Sequence, residues 1–363
     1  MFNEADHRWM QRALELAEQG LMSTTPNPRV GCVIVRDGER AGEGWHRRAG
    51  EPHAETVALA EAGERARGAT VYVTLEPCSH FGRTPPCTDA LVAARVARVI
   101  VAMEDPNPLV NGQGLERLRR AGIDVRCGLL EGRSRDLNIG FVSRMTRARP
   151  WVRLKVAASL DGFTALPDGR SQWITGELAR ADGHRWRARS CAILTGIGTV
   201  SADDPQMNAR ASEATRQPLK VIVDSSLRID PHARILKGGQ VLIAAASDEP
   251  QLSAGLRDRG CEVIAMPGEQ GRVDLAALLR ELAARGINEL HVEAGGRLNG
   301  ALLREGWVDE LLLYSSACLL GSGRPMFDLP TVPSLDERIR FDLHSVDQLG
   351  GDIRVLARRV AAS

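Results

Sequence analysis

The sequence predicts two consecutive α/β domains. Three observations carry that expectation: the length, an alternation of helix-period and strand-period segments along the whole chain, and a basic, proline-ended stretch near its middle. At 363 residues the chain is long for one hydrophobic core and sufficient for two. Residues 6–18 form an amphipathic helix pattern that stops at Gly20, and the apolar run 30–35 leads into an Asp37-Gly38 turn, which reads as a helix followed by a β-hairpin. A helix over 52–62, a strand over 70–75, a helix after Cys87, a strand over 96–103 and a helix over 114–121 complete a layered α/β domain. Pro52 suits a first helical turn, where its missing N–H has no partner to lose, so His53 and Glu55 fall at a helix N-terminus.

Residues Ser143-Arg144-Met145-Thr146-Arg147-Ala148-Arg149-Pro150 read as the boundary, giving domains 1–147 and 148–363. Beyond it, strand patterns at 151–157, 191–195, 219–223, 241–246, 262–266 and 289–293, with helical patterns at 251–259 and 274–285, predict a second, mostly parallel sheet.

Lys+Arg 47 against Asp+Glu 46 gives a formal charge of +1, so no basic excess points to nucleic acid as a partner. Hydrophobic residues at 43% and charged residues at 26% fit a globular chain, and no apolar run approaches the roughly 20 residues needed to span a bilayer. The polar start, Met1-Phe2-Asn3-Glu4, lacks a signal-peptide core, so a cytoplasmic protein without a membrane partner is expected. Its seven cysteines are then expected as thiols. Cys32, Cys127, Cys191, Cys261 and Cys318 sit in or beside apolar stretches and read as small core residues.

Cys78 and Cys87 differ. They stand in Glu76-Pro77-Cys78 and Pro86-Cys87, downstream of Pro52-His53-Ala54-Glu55. Two thiolates and one imidazole leave a fourth position open, as in a catalytic zinc site, whereas a structural site is closed by four protein ligands. On a regular helix His53 and Glu55 would point roughly 200° apart, so Glu55 is expected beside the metal rather than on it. Zinc lowers the pKa of water to about 7, and a carboxylate there can carry the proton to a ring nitrogen and then to departing ammonia. Both cysteines are expected at helix starts, where the local field favours thiolate.

An H-x-E followed by P-C and a further cysteine resembles the zinc deaminases, except that Cys78 and Cys87 are separated by Ser79-His80-Phe81-Gly82-Arg83-Thr84-Pro85-Pro86. That insert, with Thr25-Pro26-Asn27-Pro28-Arg29-Val30-Gly31 and Gly44-Trp45-His46, resembles the bifunctional deaminase–reductases of riboflavin biosynthesis, in which it is expected. The resemblance implies a cytidine-deaminase-like α/β/α domain with one zinc ion on His53, Cys78 and Cys87 and with Glu55 as the catalytic carboxylate. It further implies Asn27 on the pyrimidine, and His46, His80 and Arg83 at the phosphate end of the substrate.

The second half carries Val156-Ala157-Ala158-Ser159-Leu160-Asp161-Gly162, Ser171-Gln172-Trp173-Ile174-Thr175, Gly198-Thr199-Val200-Ser201-Ala202-Asp203-Asp204-Pro205 and Val292-Glu293-Ala294-Gly295-Gly296-Arg297-Leu298-Asn299. These resemble the reductase half of the same family, which implies a dihydrofolate-reductase-like α/β fold and NADPH. No G-x-G-x-x-G follows the first strand of either half, so a Rossmann dinucleotide site is not expected. The resemblance places Ala157, Trp173, Thr199, Asp203, Ser225 and the turn Gly295, Gly296, Arg297, Leu298, Asn299, Gly300, Ala301 along NADPH. It places Ser171, Arg187, Met207, Arg210 and Glu293, with Lys155 near the sugar, on the second substrate. Two departures stand out: Met207 replaces the usual leucine, and Ser316-Ala317-Cys318 replaces a common Ala-Pro-Lys, so no role of that lysine transfers. Phosphorylated pyrimidines are the implied partners, and a homodimer or higher homo-oligomer the implied assembly.

Overall fold

The computed structural model describes residues 1–80, 85–108 and 110–360. The chain divides into two compact units, Met1–Ala148 and Arg149–Ser363.

The first unit runs α1 (Glu4–Glu18), β1 (Gly31–Arg36), β2 (Glu39–Trp45), α2 (Ala54–Ala62), β3 (Thr70–Val73), α3 (Cys87–Ala93), β4 (Arg98–Val101), α4 (Gln113–Arg120), β5 (Asp124–Cys127), α5 (Glu131–Leu137) and α6 (Ile139–Arg147). Its sheet has the order β2-β1-β3-β4-β5. The β1–β2 hairpin turns on Asp37 and Gly38, both at positive φ, the backbone that an Asp-Gly pair tolerates best. The two-residue period sorts the sheet's side chains into two cores. Cys32, Ile34, Val71, Val73, Val99 and Val101 join one cluster with Ala54 and Ala58 of α2 and Leu115 of α4. Val33, Val35, Tyr72 and Ile100 join the other with Met10 and Leu14 of α1.

Several local expectations are corrected. The helix expected from residue 52 begins at Ala54, because His53 is its N-cap with extended backbone (φ −72, ψ 161), so the regular-helix angle between His53 and Glu55 does not apply. Residues 143–147 of the expected polar boundary are the end of α6, which buries Phe141 and Ser143, and the two units divide after Ala148. Cys127 and Cys318 are half-buried rather than core residues.

The second unit runs β6 (Trp151–Ser159), β7 (Phe163–Ala165), α7 (Glu177–Arg189), β8 (Ala192–Gly196), α8 (Ile197–Asp203), β9 (Leu219–Val223), β10 (Val241–Ala245), α9 (Pro250–Arg257), β11 (Glu262–Ala265), α10 (Leu275–Ala284), β12 (Glu289–Val292), α11 (Gly296–Arg304), β13 (Glu310–Ser316), β14 (Arg324–Pro325), β15 (Phe341–Leu349) and β16 (Asp352–Arg359). The order of its 9-stranded sheet is β11-β10-β9-β8-β12-β6-β13-β16-β15. Every neighbouring pair from β11 to β13 is parallel, and an antiparallel hairpin closes the edge. One face is apolar: Val152, Leu154, Leu194, Val221, Leu290 and Val292 pack with Leu278, Leu279 and Leu282 of α10.

The alternate positions of the central strands are not apolar. Arg153 lies fully buried, donating to Glu310 at 2.6 Å and to Glu289 at 3.1 Å, with its guanidinium 4.2 Å from the centre of the Trp186 ring on α7. A buried charge persists when its partners are this close. This polar stripe runs along β6 and β12 to Lys155, His291 and Glu293, and it positions the second site. The sequence reading missed α7 because the helix has no apolar stripe of its own: it buries only Ala179, Gly183 and Ala188.

Candidate active sites

In the first unit, the turn into α2 presents His53, the loop after β3 presents Cys78, and Cys87 is the first residue of α3. Nδ1 of His53 lies 3.3 Å from Cys87 Sγ and 3.6 Å from Cys78 Sγ, and the three donor atoms all fall within 4.8 Å of one another. Tetrahedral zinc with ordinary Zn–N and Zn–S bonds needs donors roughly 3.6 Å apart, so this set fits the ion. The electrostatics agree. The Cys78 thiol is pulled down to about 4, first by a hydrogen bond from Cys87 and then by His53, while Cys87, the donor, is pushed up. Alone, the pair holds one thiolate; a cation is what would let both ionise.

Two fastenings set the loop. Cys87 N–H donates to Cys78 Sγ at 3.3 Å, and Thr88 donates to Cys78 O through both N–H and Oγ1 at 3.2 Å. Cys78 is therefore held in a loop by the start of α3, and the expectation that it begins a helix is corrected. Upstream, the buried Glu76 carboxylate accepts four backbone N–H groups: Asp105 and Gly112 on Oε2, Gly114 and Leu115 on Oε1. The residue pattern around Glu76 alone assigns it no role. Its signal was its own position, a carboxylate beside Pro77-Cys78 at the end of a buried strand.

Glu55 is 3% exposed in the first turn of α2, and burial pushes its carboxyl up to about 7. Asn27 and His46 come together, Nδ2 to Nε2 at 3.0 Å, while His46 Nδ1–H donates to Pro52 O at 3.1 Å and its ring meets His53 edge-on. Both nitrogens of His46 are thus engaged, and burial lowers its pKa. It stands between Asn27 and His53. His80 is exposed at the rim, and Arg83 lies outside the described residues. Asp105, not singled out from sequence, is half-buried after β4, and its carboxyl is pushed up to about 6 by burial, with Glu76 adding to the shift and His80 opposing it.

In the second unit Glu293 follows β12 and is gripped by both ends of the Arg187 fork, Nη2 at 2.8 Å. Lys155 Nζ stands 3.7 Å away and the fully buried His291 Nε2 3.2 Å away. Burial alone would push Glu293 up, yet Arg187 and then Lys155 hold it well below the carboxylate range. Met207, at φ 47, packs beneath Arg187 with Sδ 3.9 Å from Nη2, and Asn208 links Arg187 to Arg210 through O at 3.2 Å and Oδ1 at 2.6 Å. Sequence reasoning missed His291 and Asn208. A histidine between two glutamates in a strand buried on both faces was the available signal.

Ala157 lies on β6, Ser171 is half-buried in the loop after β7, and Ser225 follows β9, where its Oγ accepts Val273 N–H. Trp173 is 69% exposed under the Arg180 guanidinium, not in the core. Thr199 and Asp203 belong to α8, and a Cβ on Gly295, the N-cap of α11, would meet Thr199 Oγ1 at 3.8 Å, so these two helix starts are neighbours. Gly296 and Gly300 have a packing reason: a Cβ on either would strike the backbone of residues 325–328. Asn299 ties the same segment, donating to Ala294 O and Met326 O. The unbonded N–H groups at the start of α11, through Arg297 and Leu298, remain as the part of the turn able to meet a phosphate, with Ala301 one turn further.

A family model for the cytidine and deoxycytidylate deaminase zinc-binding region matches residues 3–103, and one for the RibD C-terminal domain matches residues 150–355. The riboflavin biosynthesis protein RibD of Escherichia coli is 47% identical over 363 residues, covering 96% of this chain and 98% of its own. The chain belongs to the RibD family. The RibD of Haemophilus influenzae is also 47% identical, over 98% of this chain and 97% of its own. The solved structure of Acinetobacter baumannii RibD superposes with a TM-score of 0.91 at 45% identity, covering 98% of this chain and 99% of that one. A Thermotoga maritima structure, described as a diaminohydroxyphosphoribosylaminopyrimidine deaminase/5-amino-6-(5-phosphoribosylamino)uracil reductase, gives 0.87 at 34% identity, with 98% and 99% covered. As a RibD, the protein is a bifunctional deaminase and reductase of riboflavin biosynthesis, with a cytidine-deaminase-like half and a RibD-type reductase half, and its cofactors are zinc and NADPH. Among the described residues no helix is long and apolar enough to cross a membrane.

Proposed function

We propose that residues 1–147 hydrolytically deaminate 2,5-diamino-6-(5-phosphoribosylamino)pyrimidin-4-one, and that residues 148–363 reduce the ribosyl group of 5-amino-6-(5-phosphoribosylamino)uracil to ribityl. The observation that carries this is the convergence of His53, Cys78 and Cys87 donor atoms beside the buried Glu55. Zinc held there supplies a Lewis acid that makes water a nucleophile at neutral pH. Glu55 moves the proton: a nearby dication offsets the burial that raises its pKa, so it starts ionised, accepts a proton and returns it to the ring nitrogen and the leaving ammonia. Asn27, oriented by His46, reads the pyrimidine, and His80 and Arg83 meet the phosphate end.

In the second half NADPH supplies the hydride for C1′ of the opened sugar. Ala157, Trp173, Thr199, Asp203, Ser225 and the turn from Gly295 to Ala301 line the cofactor. Ser171, Lys155, Arg187, Met207, Arg210 and Glu293 face the substrate, with Glu293 fixing the Arg187 fork for the phosphate side. Cytoplasmic action on small phosphorylated pyrimidines, by a homodimer or larger homo-oligomer, accords with the family. Glu55→Ala tests the division of labour: ammonia release is abolished while NADPH oxidation persists when the deaminated intermediate is supplied. Loss of both in a folded variant contradicts the two-site reading.

A further inference from the structure

The loop that carries Asn27 cannot place itself. Pro26 and Pro28 flank Asn27 and have no N–H to offer a neighbouring strand, and residues 24–30 accordingly form neither helix nor strand. The remaining backbone groups of the loop must find partners elsewhere. Asn27 N–H turns back to Thr24 O at 2.9 Å, and Val30 O accepts His46 N–H at 2.9 Å. Between these two, Arg29 is tied to the corner where α5 meets α6.

Asn138 occupies that corner, ending α5 and opening α6, and is 1% exposed. Its side-chain amide engages both backbone groups of Arg29: Oδ1 accepts Arg29 N–H at 2.8 Å, and Nδ2 donates to Arg29 O at 3.0 Å. A primary amide used in this way stands in for the strand neighbour that the loop lacks, and it fixes both the distance and the tilt of the backbone just after Asn27. The buried Arg29 side chain returns the grip, donating to Leu137 O at 2.6 Å and to Leu21 O at 3.2 Å. On the other side of Asn27, Arg144 of α6 donates to Pro26 O at 3.2 Å. The same corner also reaches the end of β3, where Ser134 Oγ donates to Thr74 O at 2.6 Å and Thr74 Oγ1 accepts Gly31 N–H at 3.1 Å. The pyrimidine loop and the strand that leads to Cys78 thus share one support.

We propose that Asn138 is a positioning residue of the deaminase: through the backbone of Arg29 it sets where the Asn27 side chain meets the pyrimidine. The inference rests on the reading that Asn27 contacts that ring. The Asn138 amide is itself engaged by backbone groups inside the protein, so its influence on substrate passes through Asn27.

The experiment is a double-mutant cycle in the full, zinc-loaded chain: Asn27→Ala, Asn138→Ala and the two together. For each, kcat and KM for 2,5-diamino-6-(5-phosphoribosylamino)pyrimidin-4-one are measured with zinc content and thermal unfolding. Asn138→Ala is expected to raise KM about tenfold, with kcat held within about twofold and zinc content unchanged, the pattern of a contact made alike in the ground and transition states. In the Asn27→Ala background the same substitution should add less than about twofold to KM, because residues that act as one unit do not add. An Asn138 with a structural role alone would lower the unfolding temperature and leave the KM of the folded enzyme as it is. That result overturns the proposal, as do additive effects in the double variant or loss of zinc from Asn138→Ala. If alanine prevents folding, Asn138→Asp, which keeps the acceptor for Arg29 N–H, takes its place in the cycle under the same criteria. Asn27→Ala separates the two levels. If it raises KM while Asn138→Ala does not, only this inference fails; if Asn27→Ala leaves KM unchanged, the reading of Asn27 fails and this inference with it.

Discussion

The two sites are built by opposite strategies. In the first unit, His53, Cys78 and Cys87 are fixed through the backbone: by an N-cap, a helix start and a carboxylate that gathers four N–H groups from residues 105 and 112–115. In the second, Lys155, Arg187, His291 and Glu293 are held by one another, as a chain of charges set on alternate positions of central strands and on α7. The first arrangement prepares ligand atoms for an ion that does part of the chemistry. The second gathers opposite charges into a largely buried network. Fastened backbone tolerates little substitution, whereas a charge network can redistribute.

The largest contrast is expected from Glu76→Ala. Removing one carboxylate leaves the backbone N–H groups of Asp105, Gly112, Gly114 and Leu115 without their acceptor and unties the segment leading into Cys78, which costs about 3 kcal/mol or more and loosens zinc. Thermal unfolding together with zinc titration of the full chain checks this; an unchanged zinc affinity would show that the loop is positioned by other means.

A smaller effect distinguishes the sites by pH. The Glu55 pKa is raised in the folded zinc-free protein to about 7, above its usual value of 4.5, so the native state binds more protons than the unfolded one between those limits. Stability of the zinc-free protein should therefore fall as pH rises from about 4.5 to about 7. Glu293 has the opposite sign: its folded pKa is depressed, so its contribution is complete above the unfolded value and fades as pH drops through the folded one. Denaturant unfolding from pH 7 down to well below 4.5 reads both; stability rising from pH 5 to 7 without zinc would refute the assignment to Glu55. The smallest effect is Met207→Leu, a swap of similar volume beneath Arg187, which should change reductase KM by less than about twofold.

Legibility followed the same divide. His53, Glu55, Cys78 and Cys87 could be read from the sequence because few other uses place an imidazole and two thiols in that order, and the nine-residue step from Cys78 to Cys87 pointed to the family. What the sequence concealed there was conformational. The N-cap at His53 and the burial of His46 between Asn27 and His53 depend on backbone and packing that no residue pattern prints. In the second unit, Arg187, Lys155 and Arg210 are ordinary basic residues one at a time. What sets Arg187 and Lys155 apart is Glu293 at the end of β12, a pairing fixed by sheet order rather than by spacing along the chain. The helix carrying Arg187 escaped notice for the same reason: it packs on charge.

Removal of zinc tests the separateness of the two sites most directly. The chelated, folded protein should release no ammonia from the diaminopyrimidinone, yet oxidise NADPH at an undiminished rate when given 5-amino-6-(5-phosphoribosylamino)uracil, and added zinc should restore deamination alone. Persistent ammonia release without zinc, or loss of NADPH oxidation in a protein that remains folded, would contradict it.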